Sequence, residues 1–305
     1  MNSMKNIRIG TRKSALALWQ AEEVAEKLQE LNYTTEIVPI VSSGDKNLTQ
    51  PLYSLGITGV FTRDLDIALL NDEIDIAVHS LKDVPTKLPE NIEIVACLAR
   101  DFPQDVLIRR KSAVNKELHE LKLATSSLRR RAFWLKQYPE TEFFDIRGNI
   151  QTRLQKLEEQ DFDATILSLA GIKRMKMDID YEFLPMMIPA ASQGVVAVAG
   201  HSEKKEINEI LAKINHRETQ ICVEIERNFL STLEGGCTAP IGAFAEQFED
   251  KIRLKAALCS LDGKNYIATD ESFEFNEEEN FGAKFANIVL ENGGKEMMAE
   301  IKNKI

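Results

Sequence analysis

The sequence has few cysteines and histidines, four of each among 305 residues. The cysteines are scattered, with no CxxC pair, so neither a disulfide framework nor a zinc site is predicted. The histidines, at positions 79, 119, 201 and 216, lack metal-ligand spacing. We therefore expect reduced thiols, no bound metal and a cytoplasmic location.

Long apolar runs are also missing. No stretch approaches the roughly 18 uninterrupted apolar residues that a membrane span requires. The opening MNSMKNIRIGTRKS contains no apolar segment of the kind that a secretory signal carries. The pattern thus predicts no membrane partner and favours the cytoplasm.

A basic overall charge is absent too, since the formal net charge is −10. This argues against general nucleic-acid binding, yet arginines are concentrated between residues 100 and 174. They are Arg100, Arg109, Arg110, Arg129, Arg130, Arg131, Arg147, Arg153 and Arg174. A local basic region in an acidic protein indicates a small anionic ligand held in a cleft. Solvated helix faces are the alternative, and spacing alone leaves it open.

Short apolar runs alternate with amphipathic segments over the first two-thirds of the chain. NIRIG predicts a strand, and the following SALALWQAEEVAEKLQEL predicts a helix with Ser14 as its N-cap. This alternation predicts open α/β sheets with crossover helices, in two similar halves. From about residue 204 the pattern changes to helices and three strands, which predicts a small α+β domain.

Hydroxyl and cationic side chains follow almost every predicted strand. These residues are Thr11, Arg12, Ser14, Ser80, Lys82, Ser126, Ser127, Arg129, Arg130, Arg147, Arg153, Lys173 and Arg174, with the amide residue Asn149 among them. Ligands of open α/β sheets bind outside the carboxyl ends of the strands, where helix N-termini offer free N–H groups. The repetition predicts several anion sites for one ligand.

The segment SSLRRR places arginines in the first turn of a helix, where the helix dipole disfavours positive charge. A bound carboxylate or phosphate would reverse that effect, because arginine grips such groups with two hydrogen bonds. Pairing with a neighbouring acidic side chain would do the same. Both interpretations stay open from the sequence.

Two further residues differ from their surroundings. Asp83, in HSLKDVP, is a lone carboxylate within the basic set and is suited to stabilising positive charge on a reacting group. A structural role as an N-cap or ion-pair partner is the alternative, and His79 is interpreted as part of the strand end. Cys237, in LEGGCTAPIG, has no apolar neighbours, unlike Cys97, Cys222 and Cys259, so it is either a turn residue or a thiol displayed for chemistry.

Seven segments in order resemble the porphobilinogen deaminase (hydroxymethylbilane synthase) family. They are TRKSALALWQ, DIAVHSLKDVP, ATSSLRR, RGNIQTRL, LAGIKR, PAASQG and LEGGCTAPIG, and they extend from about residue 7 to residue 242. The resemblance implies stepwise head-to-tail condensation of porphobilinogen with loss of ammonia, and hydrolytic release of hydroxymethylbilane. It implies a dipyrromethane cofactor joined to Cys237 by a thioether, and Asp83 as the catalytic aspartate. The expected partners are porphobilinogen and the growing polypyrrole chain.

The same resemblance assigns binding roles to residues that match the family's motifs. Those implied to hold the cofactor are Ser80, Lys82, Thr125, Ser127, Arg129 and Arg130. Those implied to line the substrate and elongation path are Arg12, Ser14, Gln20, Arg147, Asn149, Arg153, Arg174 and Gln193. It also implies a monomer with two hinged, periplasmic-binding-protein-like α/β domains, residues 1–98 with 190–212 and residues 99–189, and a third α+β domain over 213–305.

Departures from the family's pattern lie outside the core chemistry. Ser54 and Thr58 stand where many members have lysines in the loop after the second strand, and Ser43 replaces an arginine common in the preceding loop. Fewer cations suggest weaker contact of that loop with the growing chain. Ser192 stands where glycine is frequent. A non-catalytic module that binds a carboxylated small molecule is the main competing function, and a nucleic-acid binder using SSLRRRAFW is a weaker one.

Overall fold

A computed structural model describes residues 6–41, 59, 62–234 and 239–304. The chain divides into two compact units. The first unit comprises the described residues of the ranges 1–47, 57–101 and 194–221, and the second comprises those of 102–193 and 222–305. Each unit is built on its own β-sheets.

The first unit contains a five-stranded sheet with helices packed against it. Its strands are β1 (Asn6–Arg12), β2 (Thr34–Ile40), β3 (Ile76–Ser80), β4 (Ile92–Cys97) and β10 (Val196–His201), and its helices are α1 (Ala15–Glu30), α2 (Arg63–Leu70) and α6 (Lys205–Ala212). The strand order is β2-β1-β3-β10-β4. β1 is parallel to β2 and β3, whereas β10 runs antiparallel to both of its neighbours.

Local sequence explains why α1 begins where it does. The Ser14 side chain accepts a hydrogen bond from the backbone N–H of Ala17 at 3.3 Å, which confirms the predicted N-cap. Ala21, Val24 and Leu28 recur at helical spacing and are fully buried against Ile7 and Ile9 of β1. The helix start therefore lies directly after the end of β1, beside the predicted ligand-binding edge.

The second unit contains a second five-stranded sheet of the same kind. Its strands are β5 (Asp105–Arg109), β6 (Leu123–Ala124), β7 (Phe143–Phe144), β8 (Ala164–Ser168) and β9 (Glu182–Phe183), and its helices are α3 (Leu128–Leu135), α4 (Ile150–Glu159) and α5 (Leu169–Arg174). The order is β7-β6-β8-β5-β9, with β6, β7 and β8 parallel and β5 antiparallel to β8. Residues at the start of β5 thus lie at the edge where β8 ends.

The C-terminal part of the second unit is a three-stranded antiparallel sheet with helices. Its elements are α7 (Arg217–Thr232, which begins in the first unit), β11 (Ile241–Phe248), β12 (Lys251–Cys259), β13 (Tyr266–Glu274), α8 (Phe281–Val289) and α9 (Lys295–Lys304). The turn between β12 and β13 contains Gly263 at φ +76°, a backbone conformation that suits glycine. Trp134 of α3 shares one hydrophobic core with Cys259 of β12, so the two sheets of this unit pack together.

These sheets confirm the predicted α/β class and the small α+β part near the C-terminus. Two strands of the second unit, β6 and β7, are short, with two residues each. The division into three domains stays a prediction. Within the described ranges, no helix is long and apolar enough to cross a membrane, and no cluster of three or more His, Cys, Asp or Glu side chains is suited to holding a metal ion.

Candidate active site

The first unit has a small cavity at the carboxyl ends of β1 and β3. Its volume is about 70 Å³, and its lining includes five residues that the sequence analysis selected: Arg12, Ser14, Gln20, Ser80 and Asp83. Asp83 lies in a single 3₁₀ turn, Leu81–Asp83, directly after β3. The strand end thus places one carboxylate beside one guanidinium.

His79 also lines this cavity, although the sequence analysis interpreted it only as part of the strand end. Burial, and secondarily the positive charge of Arg12, lower the pKa of His79 from 6.5 to about 4. Its imidazole is therefore neutral near pH 7. It adds a polar group to the cavity without adding a second positive charge.

The remaining selected residues of this unit lie close by. The Gln20 side-chain amide donates to Ser80 Oγ at 2.8 Å, which fixes a buried residue of α1 against the end of β3. Lys82 is half-buried in the same 3₁₀ turn as Asp83 but is not among the residues that line the cavity. Of the six residues of this unit to which the family resemblance assigns roles, five therefore line one cavity.

In the second unit, hydroxyl groups lie where β6 passes into α3. Thr125 is buried, and its Oγ1 accepts the backbone N–H of Ser127 at 3.2 Å. Ser127 is the N-cap of α3, with its Oγ 3.4 Å from the backbone N of Arg130. The two hydroxyl groups therefore order the first turn of the helix that carries the arginine pair.

The two arginines of that turn pair with one buried carboxylate. Asp105 Oδ2 accepts from Arg129 Nη1 at 2.6 Å, and Asp105 Oδ1 accepts from Arg130 Nη2 at 2.8 Å. The two arginine side chains are 6% and 7% exposed, and the Asp105 side chain has no exposed surface. Of the two interpretations open from the sequence, pairing with an acidic side chain is present. An additional contact of the arginines with a ligand stays a prediction.

A third group surrounds the start of α4. Asn149 Oδ1 accepts from the backbone N–H of Thr152 at 2.8 Å and so caps the helix. Arg153 Nε donates to the carbonyl of Gly148 at 2.9 Å. Arg147 is buried, and this burial lowers the pKa of its guanidinium. Asn149 thus has a structural role here, and its predicted contact with substrate stays a prediction.

Two further selected residues of this unit, Arg174 and Gln193, are buried. Arg174 is buried at the end of α5. Gln193 is 1% exposed, and its Nε2 donates to the carbonyl of Pro103 at 2.7 Å and to Asp105 Oδ1 at 3.2 Å. Gln193 therefore joins the arginine pair through Asp105.

Cys237 lies outside the described residues, as do Ser43, Ser54 and Thr58. Cys97, Cys222 and Cys259 are buried, as predicted. Burial raises the pKa of the Cys259 thiol to about 11, and its Sγ lies 3.6 Å from the carbonyl oxygen of Ala132. These three are structural thiols.

The sequence analysis did not select Asp105, and it gave His79 no role beyond the strand end. Asp105 opens the otherwise apolar strand DVLI, and a lone carboxylate at the start of a buried strand was the available signal. The sequence pattern did not indicate that β5 runs antiparallel to β8. For His79, the signal was its position between an apolar strand and Ser80.

Two family models match the chain. One, "Porphobilinogen deaminase, dipyromethane cofactor binding domain", matches residues 7–209, and the other, "Porphobilinogen deaminase, C-terminal domain", matches residues 220–291. The porphobilinogen deaminase of Desulfosudis oleivorans is 42% identical over 305 residues, covering 97% of this chain and 98% of that protein. The porphobilinogen deaminase of Syntrophomonas wolfei is 38% identical over 305 residues, covering 98% and 100%.

Among solved structures, an ancestral cationic amino acid solute binding protein is 16% identical and covers 68% of this chain, with 87% of its own chain covered, at a TM-score of 0.43. At that TM-score the similarity carries no argument about fold or function. The family models and the full-length relatives, in contrast, match nearly every described element. The chain therefore belongs to the porphobilinogen deaminase family.

Proposed function

We propose that this chain joins porphobilinogen units head to tail onto a dipyrromethane primer held by Cys237, and releases hydroxymethylbilane by hydrolysis. This is the transferase reaction of the family, a step of tetrapyrrole and haem biosynthesis. The observation that carries the catalytic assignment is the cavity of the first unit, in which Asp83 lies with Arg12 and His79.

Asp83 is the group we assign to the chemistry. In each condensation the aminomethyl carbon of porphobilinogen loses ammonia and bonds to a pyrrole carbon, which then loses its proton. Positive charge develops on the reacting carbon and nitrogen atoms during these steps. A carboxylate held in a small cavity stabilises that charge more strongly than it would in water. It also offers an oxygen that can accept or return a proton.

His79 and Arg12 set the charge of this cavity. With His79 neutral near pH 7, the charged side chains among the lining residues are Arg12 and Asp83. A protonated His79 would oppose the charge that the reaction develops. Arg12 instead offers its guanidinium to a carboxylate of the substrate, whose pyrrole ring carries one acetate and one propionate group.

The second unit offers a donor set that fits the carboxylates of dipyrromethane. Arg129 donates two hydrogen bonds from Nη1, to Asp105 and to the carbonyl of Ile188. Among the described residues, its Nε and Nη2 have no hydrogen-bond partner, which leaves three N–H donors in the fork geometry that carboxylates match. When bound, dipyrromethane supplies the pyrrole carbon to which the first substrate unit is added. Ser127 and Thr125 would add hydroxyl groups to the binding set of this unit.

Cys237 is the anchor we propose for the cofactor. It lies between Gly236 and Thr238, so the preceding backbone carries no side chain that would obstruct a ligand. The three described cysteines are buried, and the raised pKa of Cys259 makes its thiolate scarce. These properties favour Cys237 as the sulfur that forms the thioether.

The remaining polar residues are proposed to guide the growing chain. Every added unit brings two more carboxylates, so the demand for cations rises during elongation. Arg147, Arg153 and Arg174 are the candidates, with Ser14, Gln20, Asn149 and Gln193 as neutral partners. A buried guanidinium such as Arg147 gains most from an anionic partner, because burial disfavours its charge.

We also propose a monomer in the cytoplasm, with the three-domain division implied by the sequence. The three described cysteines form no disulfide, which suits a reducing compartment. The competing function, a binding module without chemistry, predicts no covalent group on Cys237.

Intact mass spectrometry tests the anchor. We expect the purified protein, incubated with porphobilinogen, to exceed its sequence mass by two linked pyrrole units. Cys237→Ser should lack this gain, and the control Cys222→Ala, which changes a buried thiol of α7, should keep it. A wild-type protein that stays unmodified and releases no tetrapyrrole would favour the binding module instead.

Asp83→Asn tests the chemistry separately from the anchor. We expect the variant to keep the mass gain and to lose turnover by a factor of about 100 or more, the range typical of a removed general acid or base. Asp72→Asn is the matched control, since Asp72 is an exposed aspartate of the same unit that is paired with Lys204. Steady-state rates in Asp83→Asn equal to those of the control would contradict the assignment.

A further inference from the structure

Asp105 is the most completely enclosed carboxylate that faces the predicted anion site. It is the first residue of β5 and lies opposite Ser168, the last residue of β8. Its side chain has no exposed surface. A carboxylate in such a place costs free energy unless it is paired and hydrogen-bonded.

Three side chains from distant parts of the sequence donate to this carboxylate. Arg129 Nη1 donates to Oδ2 at 2.6 Å, and Arg130 donates to Oδ1 through Nε at 3.0 Å and through Nη2 at 2.8 Å. Gln193 Nε2 adds a bond to Oδ1 at 3.2 Å. The two oxygens are thus shared between residues whose roles the sequence analysis assigned to ligand binding.

Each guanidinium is also fixed at a second point. Arg129 Nη1 donates to the carbonyl of Ile188 at 2.7 Å, and Arg130 Nη1 donates to the carbonyl of Ile166 at 2.6 Å. Arg129 uses Nη1 for both of its bonds, whereas Arg130 bonds Asp105 through Nε and Nη2 and the backbone through Nη1. Neither group can therefore turn without breaking short hydrogen bonds. This geometry fixes the direction in which the remaining donors of Arg129 point.

The net charge of the cluster also favours an anionic ligand. Two guanidinium groups and one carboxylate leave a net charge of +1, next to the positive end of α3. A second carboxylate, brought by a ligand, would neutralise that charge. Without Asp105 the two arginines would repel each other and the net charge would be +2.

We propose that Asp105 is the positioning residue of this anion site. It holds Arg129 so that the Nε and Nη2 donors face the ligand. It also cancels one of the two arginine charges, so that a single ligand carboxylate neutralises the other. The proposal rests on the function proposed above. It assigns a role to a residue that itself does not touch the ligand.

The rate of cofactor loading tests the proposal. Apoprotein is incubated with porphobilinogen, and the fraction with the two-pyrrole mass gain is followed by intact mass spectrometry. We expect Asp105→Asn to load at least about tenfold more slowly than wild type, because misplacement of about 1 Å can cost about 100-fold. Asp163→Asn is the matched control. Asp163 is a largely buried aspartate paired with Lys116 at 2.8 Å. It directly precedes the first residue of β8, about 16 Å along that strand from Ser168, which lies opposite Asp105.

A second variant covers the case in which Asp105→Asn does not fold. Asp105→Glu keeps the negative charge but displaces the guanidinium groups by about one bond length. We therefore expect it to load slowly as well. Its unfolding midpoint should stay close to that of Asp163→Asn. Loading of either folded Asp105 variant at the control's rate would overturn the proposal. If wild type itself fails to load, the proposed function is what fails.

Acetate gives a measurement that does not depend on loading. In the Cys237→Ser background, acetate should raise the thermal midpoint of Asp105→Asn over chloride at equal ionic strength, by about 2 °C or more, because it replaces the missing carboxylate. The Asp163→Asn control should show no such difference. Equal effects of acetate and chloride on a folded Asp105→Asn would refute the charge-balancing part of the proposal.

Discussion

Glu226 offers a quantitative test of how the second unit holds its site in place. It lies in α7 with no exposed surface. Its Oε2 accepts from the backbone N–H of Ser192 at 2.6 Å, and its Oε1 accepts from the backbone N–H of Ala245 in β11 at 2.7 Å. One carboxylate therefore joins the segment that carries Gln193 to the C-terminal sheet.

Replacing Glu226 with glutamine leaves a single side-chain oxygen for two backbone donors. The new amide NH₂ would face one of the two N–H groups, which then stays buried without an acceptor. Such a group costs about 1–3 kcal/mol. We therefore expect Glu226→Gln to lower the free energy of unfolding by about 1–3 kcal/mol, and Glu226→Leu, which removes both acceptors, by about 2–6 kcal/mol.

Urea unfolding followed by circular dichroism measures this loss as a decrease in the midpoint at constant slope. Glu224→Gln is the matched control, because Glu224 is exposed on the same helix; we expect its effect to stay within about 0.5 kcal/mol. A Glu226→Gln protein as stable as the control would refute the reasoning. It would mean that removing a buried charge gains as much free energy as the loss of one of the two hydrogen bonds costs.

Two further predictions concern buried groups. Burial raises the pKa of Asp66 from 3.8 to about 6, so its stabilising contribution is present below pH 3.8 and lost as pH rises through 6. His79, with its pKa lowered from 6.5 to about 4, contributes stability above pH 6.5 that is lost as pH falls through 4. Each effect amounts to about 3 kcal/mol, and the two oppose each other. Urea midpoints between pH 4 and 7 should therefore fall with rising pH in His79→Asn and rise in Asp66→Asn; parallel curves for both variants would contradict this. Ser192 has φ 64°, a strained backbone conformation, and a buried Oγ with no hydrogen-bond partner among the described residues. Ser192→Gly should therefore add about 1 kcal/mol to the free energy of unfolding. A urea midpoint below that of wild type would show that the backbone is not strained there.

The sequence alone determined the features that depend on neighbouring residues. Ser14 caps α1 through a hydrogen bond to Ala17, only three positions away, so its role was predictable from local pattern. The apolar periodicity predicted the helices and strands for the same reason, and motifs such as DIAVHSLKDVP pointed to Asp83.

Only the tertiary structure decided which polar groups meet. Asp105 lies next to Ser168 because β5 runs antiparallel to β8, and a strand's direction within a sheet is set by distant packing partners. Gln193 reaches Asp105 from 88 residues away. The sequence therefore showed where cations are concentrated, whereas the fold decided that a buried carboxylate holds two of them. The reason is that contacts between distant residues depend on strand order and strand direction, which no local pattern specifies.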